Sequence, residues 1–134
     1  MPLMQPRRIL VLARVGLAAY AAFAGLNAQA GTIDDVKAAF GNTVLATYPD
    51  GRAQRIWLHP DGRYDAIGRR GTPSSGTWTV KADKVCLKQK RPFWAPISYC
   101  TGFPQGGAVG ARWTGKDLQG VPIQLTLVPG IQRP

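Results

Sequence analysis

The stretch Thr43–Ile67 reads TVLATYPDGRAQRIWLHPDGRYDAI, and its punctuation decides the fold. Three short apolar or alternating runs, Thr43–Tyr48, Ala53–His59 and Arg63–Ile67, are separated by two matching breaks. The breaks are Tyr48-Pro-Asp-Gly-Arg52 and His59-Pro-Asp-Gly-Arg63. Proline presets one dihedral, aspartate tolerates turn geometry and glycine supplies a positive φ, so each break suits a hairpin turn. Strand-like runs between such turns predict an antiparallel meander. An 11-residue echo seen twice does not make a solenoid.

Toward the C-terminus the same grammar continues. Gly68–Gly76 reads as a polar loop, and Thr77–Lys81 as a strand with Trp78 and Val80 on one face. Val85–Gln89 and Ile97–Phe103 are further strands, joined by the loop Lys90–Pro96. Pro104–Gly110 is a flexible loop and Ala111–Thr114 a seventh candidate strand. In Val121–Val128, Ile123, Leu125 and Leu127 alternate with Gln124 and Thr126, the cleanest period of two in the chain. Pro122 suits an edge position or a strand end, and Pro129–Pro134 reads as a frayed tail.

Toward the N-terminus, Thr32 with Asp35 three residues later approximates a capping box. Ile33, Val36 and Phe40 recur at helical spacing before Gly41 stops the segment. The prediction is an all-β, mainly antiparallel fold: a small barrel or sandwich of seven to eight strands with one short N-terminal helix. Consecutive hairpins favour an up-and-down arrangement, and closure would remove exposed strand edges.

Residues 1–30 carry the three parts of a secretory signal peptide. Arg7, Arg8 and Arg14 stand in an acid-free start, Val15–Leu26 is apolar, and Ala28 and Ala30 precede Gly31. The apolar run is too short for a membrane-spanning helix, which needs roughly 20 residues. Cleavage after Ala30 would leave residues 31–134 as one β-rich domain with no transmembrane span, periplasmic or secreted. The paired Arg7-Arg8 leaves both general secretion and twin-arginine export open. Three of the 17 basic residues would leave with the leader and all seven acids would stay, for a net charge of +7.

Cys86 and Cys100 are the only cysteines, and in an exported domain an even count predicts a disulfide. The enclosed loop of about 15 residues would stabilise by roughly 3 kcal/mol on the chain-entropy model. Redox C-x-x-C spacing is absent, and one histidine, His59, cannot complete a structural zinc site. No cofactor or metal is expected. The acids are all aspartate and sit mainly in turns, which argues against paired catalytic carboxylates. Ser74, Ser75 and Ser98 could in principle join His59 and an aspartate, but no G-x-S-x-G elbow is present.

Trp57 and Trp78 are expected in the core. Phe93 and Trp94 differ, lying in a proline-bounded loop beside Lys90 and Arg91. Aromatic and basic groups on one loop can bind a sugar ring, an anionic lipid or a stacked base; alternatively Trp94 folds back over a barrel end. Arg69-Arg70 is a second basic patch. These six residues, Phe93, Trp94, Lys90, Arg91, Arg69 and Arg70, are the candidate binding site.

Gly41-Asn42-Thr43, Asp61-Gly62-x-Tyr64, Gly76-Thr-Trp78-Thr-Val80, Cys86 and Cys100 together resemble a pattern of small exported proteobacterial proteins of unknown function, GNT…DG…GxWxV…C…C. The resemblance spans about Phe40 to Cys100, implies a compact periplasmic β-domain, and carries over no catalytic residue. Pro104–Pro134 has no counterpart in it. The expected function is a non-catalytic exported binding module for an envelope component or a protein partner. An anionic glycan, a lipid or an envelope protein would suit its charge, and nucleic acid is not expected. The alternatives are a small secreted hydrolase using His59 and a self-assembling structural envelope protein.

Overall fold

The computed structural model describes residues 33–134. The expected leader and the Thr32 cap lie outside the described residues. The chain opens with a helix, α1 (Ile33–Val36), which tightens into a 3-10 turn over Lys37–Ala39. Eight strands follow: β1 (Thr43–Thr47), β2 (Ala53–Leu58), β3 (Arg63–Ile67), β4 (Pro73–Lys81), β5 (Lys84–Arg91), β6 (Tyr99–Gly102), β7 (Arg112–Lys116) and β8 (Pro122–Val128). All pair antiparallel in the order β6-β5-β4-β3-β2-β1-β8-β7. This is a nearly closed up-and-down barrel, which decides between the barrel and the sandwich.

The seam between β6 and β7 carries no ladder, and side chains bridge it. The Tyr99 hydroxyl donates to the Lys116 carbonyl at 2.7 Å. The Phe103 and Trp113 rings meet at 5.1 Å near its lower end. Gly115 faces this seam, where a Cβ would come within 3.1 Å of both Thr101 Oγ1 and Leu125.

One turn geometry recurs four times. In Tyr48–Arg52 and His59–Arg63 the first and last residues pair through the backbone, and the glycine takes φ near +85° (83° at Gly51, 85° at Gly62). Asp50 and Asp61 each accept the backbone N–H two residues on. Gly68–Thr72 and Asp117–Val121 repeat the same backbone bonds around Gly71 and Gly120. The second half of the expected Gly68–Gly76 loop is therefore strand: Pro73–Thr77 pair with Ile67–Arg63, and only the turn 68–72 remains a loop. Small polar residues disguised a strand whose partner was already specified by β3.

Strand β5 also runs past Gln89 to Arg91, with a bulge opposite Ser75 and Gly76 that leaves Lys90 as the extra residue. A Cβ on Gly76 would collide with the Lys88 carbonyl oxygen, so this crossing requires glycine. Strand β6 is shorter than expected and β7 extends to Lys116. Pro122 opens β8, a strand paired on both sides, where the first position needs no donor.

Inward residues form the core: Val44 and Ala46 from β1, Ile56 and Leu58 from β2, Tyr64 and Ala66 from β3, Trp78 from β4, and Ile123, Leu125 and Leu127 from β8. Cys86 and Cys100 are directly opposed on β5 and β6 and form the expected disulfide. Trp78 is core as expected, but Trp57, although 2% exposed, points out of the barrel. Its indole N–H donates to Thr43 Oγ1, and the Arg133 guanidinium covers its ring at 4.8 Å.

The C-terminus is accordingly a strap, not a frayed tail. Thr43 Oγ1 donates to the Gly130 carbonyl and accepts from Gln132 N–H, and Asn42 Oδ1 accepts from Gly130 N–H. The anchors lie almost 90 residues away in sequence, which is why local composition missed them. Among the described residues no helix is long and apolar enough to cross a membrane.

Candidate functional site

Alternating strand directions sort the connections onto two ends of the barrel. One end carries α1, the turn 59–62, the turn 82–83 and the loop 103–111. It is plugged. Val36 and Ala39 are fully buried, Phe40 meets Trp78 at 5.7 Å, and the Trp78 indole donates to the His59 carbonyl. Asp35 fastens the helix to the loop by accepting from Gly106 N–H at 2.6 Å.

The other end carries the turns 48–52, 68–72 and 117–121 and the loop 92–98. Beneath it the interior is hollow, with a cavity of about 370 Å³. Its walls are mainly apolar, among them Ile56, Leu87, Trp113, Ile123 and Leu125. Ala46 and Ser74 are small residues at inward positions of its wall, and this leaves the space open. Near the mouth the lining turns polar, with Tyr48, Gln54, Gln89, Tyr99 and Asp117, and ends in Ala95, Ile97 and Leu118.

Electrostatics at the mouth follow from this half-buried setting. Burial pushes the Tyr48 hydroxyl pKa up, and the neighbouring Asp117 carboxylate, as charge and as hydrogen-bond partner, pushes it further. Burial raises Tyr99 at the mouth as well, and also Tyr64, deeper in the wall toward the plugged end. Asp117 is held by Gln119 N–H and Val121 N–H. The Arg69 guanidinium lies 4.0 Å over the Tyr48 ring and 3.8 Å from Asp50 Oδ2. The Arg52 backbone N–H, more than any other group, holds the Asp50 carboxyl below its ordinary value.

Trp113 supplies an unusual group. Its Nε1 is hidden from solvent, and among the described residues it has no hydrogen-bond partner. A buried unsatisfied N–H costs about 1–3 kcal/mol.

All six candidate binding residues belong to connections or strand ends of the open end, although Arg69-Arg70 and Lys90–Trp94 are far apart in sequence. None of the six lines the cavity itself. Phe93 and Trp94 are exposed on the loop that supplies Ala95 and Ile97, and Lys90 Nζ stands 5.1 Å from the Trp94 ring centre. Trp94 therefore does not fold back as a lid. Arg69 reaches the mouth through Tyr48, and Arg70 is exposed. Sequence reading missed Tyr48, Tyr99 and Asp117. Each occupies a strand end or turn, and only the closed ring of strands brings them together.

Lys90 and Arg91 instead border a groove on the outer wall with His59, Asp65 and Ser75. There His59 Nε2 lies 2.8 Å from Asp65 Oδ2, both side chains substantially exposed. Among the described residues no serine hydroxyl hydrogen-bonds to His59, and Ser74 faces the cavity on the other side of the sheet. No family model, curated protein or solved structure matches the chain.

Proposed function

We propose that this protein is an exported, non-catalytic binding barrel that holds one small apolar component of the cell envelope. The observation that carries this reading is the cavity of about 370 Å³ beneath the open end. Small-molecule sites occupy roughly 300–1,000 Å³ and are mostly apolar with a few placed polar groups. An eight-stranded barrel has just enough interior to be filled by side chains or to hold one small ligand. Here Ala46 and Ser74 favour the second outcome.

The mainly apolar walls narrow the ligand class to a small apolar body, with polar groups only near the mouth. Export rests on the leader pattern of residues 1–30 and on the disulfide, since disulfides persist in oxidising compartments.

The test is uptake of a neutral apolar dye, N-phenyl-1-naphthylamine, by protein recovered from exporting cells, with its N-terminus sequenced. Ala46→Leu fills the cavity and should weaken uptake about tenfold or more. Wild-type uptake by a folded Ala46→Leu variant overturns the reading. So does hydrolase activity in a broad substrate screen that disappears in His59→Ala.

A further inference from the structure

The open end carries more than the cavity mouth, and its surface chemistry matches a lipid headgroup region. We propose that this end docks on an anionic bilayer, so that the ligand enters the barrel directly from the membrane. The destination of the ligand rests on the cavity reading above; the docking itself does not.

Four large apolar side chains are exposed at this end: Phe93 (63%), Trp94 (69%), Ile97 (59%) and Leu118 (63%). Three of them share the loop 92–98, and the fourth tips the turn 117–121. Both connections also line the cavity, through Ala95, Ile97 and Leu118. Apolar surface that gathers around a ligand entrance marks an interaction site more strongly than singly scattered residues do.

The charge around them is one-sided. Arg52, Arg69, Arg70, Lys90, Arg91 and Lys116 stand against Asp50 and Asp117, with Asp65 in the outer-wall groove that Lys90 and Arg91 border. Asp50 is shared between Arg52 at 3.1 Å and Arg69 at 3.8 Å. Asp117 is turned to backbone N–H groups of its own turn. Among the described residues Arg70, Lys90, Arg91 and Lys116 have no carboxylate partner.

Aromatic side chains flanked by Lys and Arg are the composition of segments that sit at a membrane interface. The ring holds the headgroup level, and cations near the surface are drawn to anionic lipid. Lys90 beside the Trp94 ring places both kinds of group at one spot. The plugged end differs. Its exposed Ile33, Val109 and Ile131 fall on three separate segments. Lys37 and Arg63 pair there with Asp34 and Asp61, while Lys81, Lys84, Arg112 and Arg133 have no carboxylate partner among the described residues, so the grouped apolar side chains set the open end apart.

Cosedimentation with phosphatidylglycerol vesicles, compared with phosphatidylcholine vesicles, tests the proposal on protein recovered after export. Binding to the anionic vesicles should exceed binding to the neutral ones at least tenfold and fall with salt. Phe93→Ser with Trp94→Ser should lower the partition coefficient about tenfold or more. Lys90→Gln with Arg91→Gln should lower it roughly 25-fold, about fivefold for each cation. Ile33→Ser with Val109→Ser, at the plugged end, should leave it unchanged. All these sites are exposed, and melting curves verify that each variant folds.

Ala46→Leu separates the two readings: it should keep vesicle binding while losing dye uptake. Loss of vesicle binding in a folded Ala46→Leu variant overturns the docking proposal, because the surface would not be acting on its own. Absent sedimentation, equal affinity for neutral vesicles, or equal loss in the plugged-end variant also overturns it, even if dye uptake persists.

Discussion

At one end of the barrel Val36 and Ala39 are fully buried, and Trp78 is held by both Phe40 and the His59 carbonyl. At the other, Tyr48, Tyr99 and Asp117 rim the cavity, and Leu118 lies exposed. Both ends use the same hairpin turn, with Pro60-Asp61-Gly62 at the first and Pro49-Asp50-Gly51 at the second. The difference therefore does not arise from how the chain reverses. It arises from what is laid over the reversals. The helix and the loop 103–111 pack apolar residues into one end, whereas the connections at the other keep their large side chains outside. Close packing is concentrated at the plug, and open space at the mouth.

Breaking the plug should have the largest effect. Trp78→Ala removes a buried indole and its hydrogen bond, and should cost about 3–5 kcal/mol in chemical denaturation. It should also weaken dye uptake, because loosening the plugged end loosens the barrel that encloses the cavity. If the variant melted like the wild type, the plugged end would not be the stable one.

The disulfide sharpens the contrast from the opposite side. Cys86 and Cys100 join the two strands that carry the loop 92–98. Replacing both by serine should cost roughly 3 kcal/mol in the denaturation midpoint. Hydrogen exchange should quicken more in 92–98 than around α1.

Alkaline pH should act on the cavity tyrosines next. The folded pKa values of Tyr48, Tyr64 and Tyr99 are raised above the ordinary 10.0, chiefly by burial of the neutral phenol. The stability this lends is fully present below pH 10, the unfolded value. It is lost as pH rises through the higher folded values, since the unfolded chain then releases protons more readily. Tyrosinate absorbance should appear late on titration, and melting temperature should fall above pH 10. Tyr48→Phe should reduce that fall.

The smallest expected effect is at the seam. Tyr99→Phe deletes the hydroxyl bond to the Lys116 carbonyl and should cost about 1 kcal/mol. Dye entry and exit rates, read by stopped flow, should rise if β6 and β7 part more easily. Unchanged rates would show that ligand passes through the mouth alone.

Much of this fold was legible because it is local. The two Pro-Asp-Gly turns, the alternation in Ile123, Leu125 and Leu127, and the cysteine pair each depend on neighbours in sequence or on a single crosslink. The strand hidden in Pro73–Gly76 was not legible. Proline, serine and glycine have weak strand preference, and their pairing is imposed by β3. The strap over Trp57 was missed for a related reason: a Pro-flanked polar tail acquires order only when Asn42 and Thr43 are placed beside it. The basic and aromatic candidates could be picked out as types, but their common end could not.

By itself the sequence determined the hairpin turns, the mainly antiparallel strands, the staple and the short leading helix, because turn chemistry and side-chain period act over a few residues. The tertiary structure alone decided that β8 pairs with β1 and the sheet curls until its edges β6 and β7 meet, that Trp57 faces outward, and that a cavity remains beneath Tyr48 and Tyr99. Those outcomes depend on the volumes of inward side chains from many strands meeting in one space. A hollow is a property of that sum and is written at no single position.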